Sequence, residues 1–288
     1  MRVLFISKGL PDYQCDCLLH GFYNLLGPDL THTDDYHLMY KEFTSVDILK
    51  SISGRGFTMW GNLEKYLNDN SDIESKIRNK YFDYIIYGSF RRNLDYIDLV
   101  TSFYPKNRIA IIDGEDDQFI NNPYDLPLFK RELLKQSNNT FPISFSIPKE
   151  KIVKDEKTIV KEKMLSDYKP SSPGTGYIYD TESEYYKNYQ DSFFGLTHKK
   201  GGWDCMRHYE ILANYCIPYF PDLNNCPELT MFNFPKSDIL LSNKLIENEF
   251  NNDFYFDILN KLFEYTKNNL TTYESSKYII ECLKKIDK

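Results

Sequence analysis

The chain has 288 residues, a formal net charge of −7 and a pI near 5.4, with 41% hydrophobic and 27% charged residues. This composition is ordinary for a folded protein, and its acidic balance argues against a nucleic-acid-binding surface. No segment approaches the roughly 18 apolar residues of a membrane span, and the apolar run at 3–6 is too short for a signal peptide. We therefore expect a cytoplasmic protein of one large or two ordinary domains, without a transmembrane segment.

Short apolar runs alternate with helical patterns over the first 148 residues. Strands are predicted at 2–7, within 29–40, and at 57–60, 81–87, 108–112 and 141–147; helices are predicted at 15–26, 46–52, in parts of 63–78, and at 94–103 and 129–135. Strands that alternate with helices predict an α/β fold with a mainly parallel sheet. In such sheets ligands sit beyond the carboxyl ends of the strands.

The composition changes at 149–176, which is charged and then rich in Pro, Gly and Ser. We place a domain boundary near Pro148, which gives an N-terminal domain at 1–148 and a C-terminal domain at 149–288. In the second domain we predict a helix at 182–190, a strand at 193–197, a helix at 205–214 and a strand at 216–220. A last short strand is expected at 238–241, followed by two helices within 254–285 that are broken at 268–271.

The loop before the predicted helix at 205–214 combines features that bind phosphate. Its residues are His198, Lys199, Lys200, Gly201, Gly202, Trp203 and Asp204, with Asp204 as the expected N-cap. Free backbone N–H groups, the helix dipole and the lysine charges all favour an anion at such a turn. Arg207 and Glu210 share one face of the helix, where the carboxylate can accept hydrogen bonds from sugar or ribose hydroxyls. A βαβ unit with a solvated charged face is the simpler alternative.

The run R-H-Y-E-I-L-A-N-Y-C-I-P-Y-F at 207–220 resembles the donor-site segment of GT-B glycosyltransferases. It is most similar to exostosin-like and spore-maturation-type families, whose segments follow R-x-x-E-x-L-x-x-G-C-I-P. The resemblance implies two Rossmann-like domains with mainly parallel sheets facing a central cleft. It also implies that Glu210 binds the nucleotide ribose, while Lys199, Lys200 and Arg207 bind the diphosphate beside Gly201 and Gly202. Tyr215 stands where the family usually has a glycine that ends the helix in a left-handed conformation.

Two further groups of residues are candidates for the acceptor side of such a site. Asp16 and His20 lie one turn apart on a predicted helix, so either is a candidate general base, although a surface pair is the alternative. The sequence Asp-Gly-Glu-Asp-Asp at 113–117 follows a predicted buried strand. Its acids Glu115, Asp116 and Asp117 are candidates to bind the acceptor. The same stretch also resembles the D-x-D metal motif of GT-A transferases, and a solvated acidic loop is the third interpretation.

These observations predict a metal-independent glycosyltransferase that moves a sugar from a nucleotide-sugar donor to a glycan or other hydroxyl acceptor. Positive side chains, rather than a metal or another cofactor, are expected to stabilise the leaving diphosphate. Two alternatives remain open: a metal-dependent GT-A-type transferase that uses Asp113, Glu115 and Asp117, and a non-catalytic module that binds nucleotides or carbohydrates.

Overall fold

The computed structural model describes residues 1–8, 11–33, 37–51, 55–65, 68–167, 178–247 and 250–286. Within these residues the chain forms two sheets, and every strand pairing in both sheets is parallel. The expected α/β class with mainly parallel sheets is therefore confirmed. The Pro/Gly/Ser-rich residues 168–177, on which the predicted boundary partly depends, lie outside the described residues.

The first sheet has six strands in the order β2-β1-β3-β4-β5-β6. The strands are β1 (Val3–Ile6), β2 (Leu30–His32), β3 (Tyr84–Tyr87), β4 (Ile109–Asp113), β5 (Leu128–Lys130) and β6 (Thr140–Pro142). The chain passes from β1 out to β2 and then back across β1 to β3. This reversal between β1 and β3 is the point at which doubly wound sheets open a crevice for ligands at their carboxyl edge.

Four helices accompany the first sheet: α1 (Tyr13–Leu26), α2 (Val46–Ser51), α3 (Ile73–Arg78) and α4 (Ile97–Phe103). Helix α1 starts at the carboxyl edge of β1, where the Asp12 side chain caps it by accepting the Gln14 and Cys15 amides. Because α1 begins there, its first turn lies beside the crevice, whereas its later turns lead away from it.

The second sheet has the order β7-β8-β9, formed by β7 (Lys163–Leu165), β8 (Ser192–Leu196) and β9 (Ile217–Tyr219). Its helices and those that follow are α5 (Glu182–Gln190), α6 (Met206–Ala213), α7 (Lys236–Glu247), α8 (Asn252–Asn269) and α9 (Thr272–Ile286). Helix α5 begins with a capping box between Thr181 and Glu184. All eight residues of α6 are buried, so its polar face meets protein rather than solvent.

Three predicted elements are wrong. Residues 57–60 form turns rather than a strand, 129–135 contains β5 rather than a helix, and 238–241 lies inside α7 rather than in a strand. A short apolar run fits the period of a strand as well as that of a helix, and tertiary contacts decide which of the two it forms. In α7 the buried side chains recur at Ile239, Ser242 and Leu245, a helical spacing. Residues 128–130 form a strand because they pair with both β4 and β6.

Helix α9 packs on α1 and so returns to the first sheet. The Ser276 hydroxyl donates to the Leu18 carbonyl at 3.1 Å, and the Thr272 amide at the start of α9 donates to the Ile147 carbonyl at 3.0 Å. A Cβ built on Gly21 would collide with the backbone carbonyl of Thr272 and with the Ser276 hydroxyl. The two helices therefore approach each other closely at this glycine.

We expect Gly21→Ala to destabilise the fold, although alanine normally stabilises a helix relative to glycine by about 0.5–1 kcal/mol. Overpacking against a backbone carbonyl costs about 1–3 kcal/mol, which exceeds that gain. Urea-unfolding midpoints of the wild type, Gly21→Ala and Gly21→Ala/Ser276→Ala measure the effect. The second change removes one of the two colliding groups and should restore part of the loss. A more stable Gly21→Ala variant would contradict the close packing of α1 and α9.

Candidate functional site

A cavity of about 220 Å³ lies where the two halves of the chain meet, beyond the carboxyl ends of β4 and β8. We call it the interface pocket. Residues 1–148 contribute Tyr13, Asp116 and Phe145 to its wall, and the second half contributes Lys200, Gly202, Asp204, Cys205, Met206, Arg207 and Glu210. The pocket thus brings together four of the six residues predicted to bind the sugar donor and one of the three predicted to bind the acceptor.

The start of α6 faces this pocket without a side-chain cap. Cys205, rather than the predicted Asp204, is the N-cap residue, and its side chain makes no hydrogen bond to the first turn. Lys200 is exposed at the pocket rim, where partial desolvation of its ammonium and then the charge of Arg207 lower its pKa. Arg207 itself is buried in the pocket wall. Two cations and an uncapped helix start favour an anion at this part of the pocket, whose lining also carries the carboxylates of Asp116, Asp204 and Glu210.

Glu210 lies on the wall of the pocket and is buried. One carboxylate oxygen accepts the hydroxyl of Thr58 from the first half, and the other accepts the Tyr185 hydroxyl at 2.7 Å. Burial raises the pKa of Glu210, while these two hydrogen bonds and Arg207 act in the opposite direction. The hydroxyls that the Glu210 carboxylate holds here belong to the protein, whereas the sequence analysis expects ribose hydroxyls at this position.

The loop between β8 and α6 is held in shape by His208. Its Nδ1 lies 2.9 Å from the Thr197 hydroxyl and its Nε2 lies 2.9 Å from the Trp203 carbonyl, so the ring ties both ends of the loop. Burial lowers the pKa of His208 to about 3. The imidazole is therefore neutral near pH 7, with Nε2–H donating to the carbonyl and Nδ1 accepting from the hydroxyl.

The two glycines of this loop lie close to acidic side chains of the first half. A Cβ on Gly202 would lie 2.5 Å from Oε1 of Glu132, and one on Gly201 would collide with the carboxylate of Asp116. Neither glycine has the positive φ that would demand it on conformational grounds. Their small size lets the acidic loop of the first half approach the phosphate-type loop.

Asp204 links the two halves through its side chain and its backbone. Its carboxylate accepts the Phe145 amide at 2.7 Å and the Tyr209 hydroxyl at 3.0 Å. Its own amide donates to Glu132 at 3.1 Å, and its carbonyl accepts from Arg131 at 2.8 Å. Burial raises the pKa of Asp204 to about 6, although the charge of Arg131 and the Phe145 hydrogen bond oppose the shift.

The acidic loop at 113–117 is neutralised by cations of its own half. Asp113 pairs with Arg91 at 2.7 Å and with the fully buried Lys130 at 3.1 Å. Arg91 also binds Asp117 through two hydrogen bonds, at 2.5 and 2.8 Å, and thereby lowers the pKa of Asp117 to about 2. The other two acids pair as well, Glu115 with Arg92 and Asp116 with Arg131. Within the described residues no group of three or more His, Cys, Asp or Glu side chains is arranged to hold a metal ion.

The two candidate bases on α1 lie in different surroundings. Asp16 is fully buried, and its Oδ2 accepts the Trp60 indole N–H at 3.0 Å. The structure does not bring His20 to the interface pocket. Its Nδ1 lies 2.8 Å from the Thr272 hydroxyl and its Nε2 lies 2.7 Å from Glu150, on a separate cavity of about 680 Å³.

Two other predicted residues of the sugar-donor site stand outside the pocket wall. The ammonium of Lys199 lies 5.0 Å from the centre of the Trp203 ring, and Gly201 contacts Asp116 beside the pocket. Tyr215 adopts the left-handed conformation of the glycine that the resembled pattern has there, with φ of 51°. Its hydrogen bond to Asn260 and its edge contact with Phe263 offset a conformational cost of about 1–2 kcal/mol.

Several residues of the site carried no signal in the sequence. Thr58, Tyr185 and Tyr13 reach the pocket region only through long-range packing, and no motif indicates that His208 holds the loop. Comparison with models of known protein families gives no match, and no curated protein matches the chain. The interpretation of the site therefore depends on its own geometry and on the resemblance of the α6 segment.

We expect Asp204→Asn to remove one pH-dependent contribution to stability. In the wild type the pKa near 6 in the folded state exceeds the ordinary value of 3.8, so the folded protein binds this proton more tightly. The stabilising effect is complete below about pH 4 and is lost as the pH rises through about 6, with an upper limit of about 3 kcal/mol. Asparagine can still accept one hydrogen bond and does not titrate. The stability of Asp204→Asn relative to the wild type should therefore increase from about pH 4 to 6 and then level off. Urea unfolding across this range measures it, and a constant difference would contradict the buried carboxylate.

Proposed function

We propose that the interface pocket binds a nucleotide sugar and that the chain is a glycosyltransferase of GT-B type. The observation that supports this most is the composition of the pocket. It places an uncapped helix start, Lys200, Arg207 and the carboxylate of Glu210 from one half opposite residues of the other half. The diphosphate then lies at the start of α6, and the ribose lies at Glu210. The acceptor enters from the side of Asp116.

In the reaction that we propose, an acceptor hydroxyl attacks the anomeric carbon of the sugar while the bond to the diphosphate breaks. The negative charge that develops passes to the diphosphate, where Lys200, Arg207 and the α6 amides stabilise it. The acceptor proton goes to a carboxylate, for which Asp16 is the candidate on the first half. His20 is too far from the pocket wall to share that role, because it contacts Thr272 and Glu150 elsewhere.

A cytoplasmic setting is part of this proposal. All six cysteines are free thiols, as is usual in a reducing compartment. Of the helices that the structure describes, none is both long and apolar enough to cross a membrane.

A second candidate is a non-catalytic module that binds nucleotides or carbohydrates. Two observations favour it: both oxygens of Glu210 already hold protein hydroxyls, and Asp16 is enclosed beneath Trp60. The two candidates differ in turnover. A transferase releases nucleoside diphosphate from a nucleotide sugar, either to an acceptor or slowly to water, whereas a binding module leaves the nucleotide sugar intact.

Lys200→Gln should weaken the binding of nucleoside diphosphates, because it removes a cation from the phosphate position. Loss of hydrogen bonds to a charged group costs about 1.5–3 kcal/mol, which corresponds to a factor of about 10 to 100 in affinity. Lys199→Gln is the matched control: it makes the same change in charge one residue away, where the side chain lies over Trp203. Isothermal titration of uridine, guanosine, cytidine and adenosine diphosphates measures both variants. Equal losses of affinity in the two variants would indicate a general charge effect and would contradict a direct contact between Lys200 and the phosphates.

Sugar transfer should persist in excess EDTA, because the pocket supplies its own cations to the leaving group. The measurement is the release of nucleoside diphosphate from a panel of nucleotide sugars, with and without chelator. Complete loss of release that Mn²⁺ restores would instead support the GT-A-type alternative. Asp113, Glu115 and Asp117 would then be the first residues to replace.

A further inference from the structure

The segment 55–61, which we call the 55–61 turn, holds an unusual backbone conformation against α5 and α6. Four of its seven residues have positive φ: Arg55 at 53°, Gly56 at 66°, Thr58 at 75° and Gly61 at 70°. Thr58 is β-branched, and such residues rarely adopt the left-handed region. A conformation of this kind persists only where the surrounding contacts hold it in place.

Those contacts converge on Thr58, whose side chain is fully buried. Its amide donates to Glu182 at 2.5 Å, and its hydroxyl donates to Glu210. The Tyr186 hydroxyl lies 2.7 Å from the same Thr58 oxygen. One residue of the first half thus offers an N–H and an O–H to two carboxylates of the second half. At Glu210 itself, the hydroxyls of Thr58 and Tyr185 together supply two O–H donors to one carboxylate, as the two hydroxyls of a sugar diol would.

The same turn also covers the candidate base on α1. The Trp60 indole N–H donates to Asp16 at 3.0 Å, and the Trp60 ring stacks on Tyr13 with ring centres 5.7 Å apart. Tyr13 in turn forms part of the pocket wall. Thr58 and Trp60 are thus two residues apart on one turn; Thr58 donates a hydrogen bond to Glu210, and Trp60 covers Asp16.

We propose that the 55–61 turn is an internal competitor of the sugar nucleotide: it occupies the ribose position at Glu210, encloses Asp16, and must withdraw before ligand binds. This inference rests on the proposed function of the interface pocket. The pocket volume supports it, because about 220 Å³ lies below the roughly 300–1,000 Å³ of typical ligand sites. The strained backbone supports it too, since relief of strain favours withdrawal. One movement of the turn frees Asp16 from Trp60 and one oxygen of Glu210 from Thr58, while the other Glu210 oxygen keeps the Tyr185 hydroxyl.

Amide hydrogen exchange of the wild-type protein, with and without uridine diphosphate and the other nucleoside diphosphates, tests the inference directly. A nucleotide that enters the pocket should slow exchange at 200–210 and accelerate exchange at 55–61, because the Thr58 amide loses Glu182. Slower exchange in one segment and faster exchange in the other would distinguish a turn that the ligand displaces from a turn that only lines the pocket. Slower exchange in both segments would mean that the turn is part of the ligand site and would overturn the inference. Unchanged exchange at 55–61 in the presence of bound nucleotide would overturn it as well.

Thr58→Val provides the second test, because valine keeps the shape and removes the hydroxyl that competes at Glu210. We expect it to accelerate exchange at 55–61 without ligand and to tighten nucleoside diphosphate binding about tenfold, equivalent to 1.4 kcal/mol. Thr266→Val is the matched control, since it removes another fully buried hydroxyl, which donates to the Leu262 carbonyl within α8. Thr58→Ser keeps the hydroxyl and should retain the wild-type affinity. Equal or weaker binding by Thr58→Val would overturn the inference.

The two proposals fail in different ways. If nucleotide binds the wild type and Thr58→Val with equal affinity, the competitor is wrong while the proposed function stands. If exchange shows that the turn has opened in Thr58→Val and no nucleoside diphosphate binds either protein, the proposed function is wrong and the inference is overturned with it. Binding by Thr58→Val alone would support both.

Discussion

The carboxylate of Asp204 accepts a hydrogen bond from each half of the chain, the Phe145 amide on one side and the Tyr209 hydroxyl on the other. A buried carboxylate is tolerated only when its oxygens have such partners. The backbone of the same residue meets Arg131 and Glu132 of the first half. Because Asp204 immediately precedes the N-cap of α6, these bonds also set where that helix starts relative to the first sheet. The position of Lys200, Arg207 and Glu210 against the first half depends on this junction.

Charge is distributed unevenly around the junction. Each acid from Asp113 to Asp117 has an arginine or lysine partner within the first half, so the acidic loop brings little net negative charge to the pocket. The second half places Lys200 and Arg207 beside an uncapped helix start, with a neutral His208 behind the loop. Anions are therefore favoured on one side of the pocket, and the Glu210 carboxylate accepts hydroxyl groups one turn further along α6. We propose that these two chemistries hold the diphosphate and the ribose of a nucleotide sugar.

Local sequence signals were sufficient for the parallel α/β architecture, for α5 and for the unit from β8 to β9, where glycines, caps and a helical period agree. They failed where short apolar runs fit two periods, as in 57–60 and 238–241. They also could not show that Asp16 and His20 lie in different surroundings. The two residues share a helix face, and only their contacts with Trp60 and with Thr272 of α9 separate their environments. Thr58 and Glu210 are 152 residues apart, and no periodicity or motif encodes such a contact. The sequence therefore indicated Lys200 and Arg207 on the cationic side of the pocket, but it gave no sign that Thr58 lies against Glu210.

The packing of α9 on α1 has a consequence for how the chain is made. Ser276 and Leu18 are 258 residues apart, yet they share a hydrogen bond at the interface of the two helices, and apolar residues of both helices belong to one core. A ribosome adds about 5–20 residues per second, so α1 waits on the order of 10 to 50 s for its partner. During that interval the first sheet can form, but one face of its first helix stays uncovered. The nascent N-terminal unit therefore carries an uncovered apolar helix face until synthesis reaches α9, and exposed apolar surface of this kind favours aggregation.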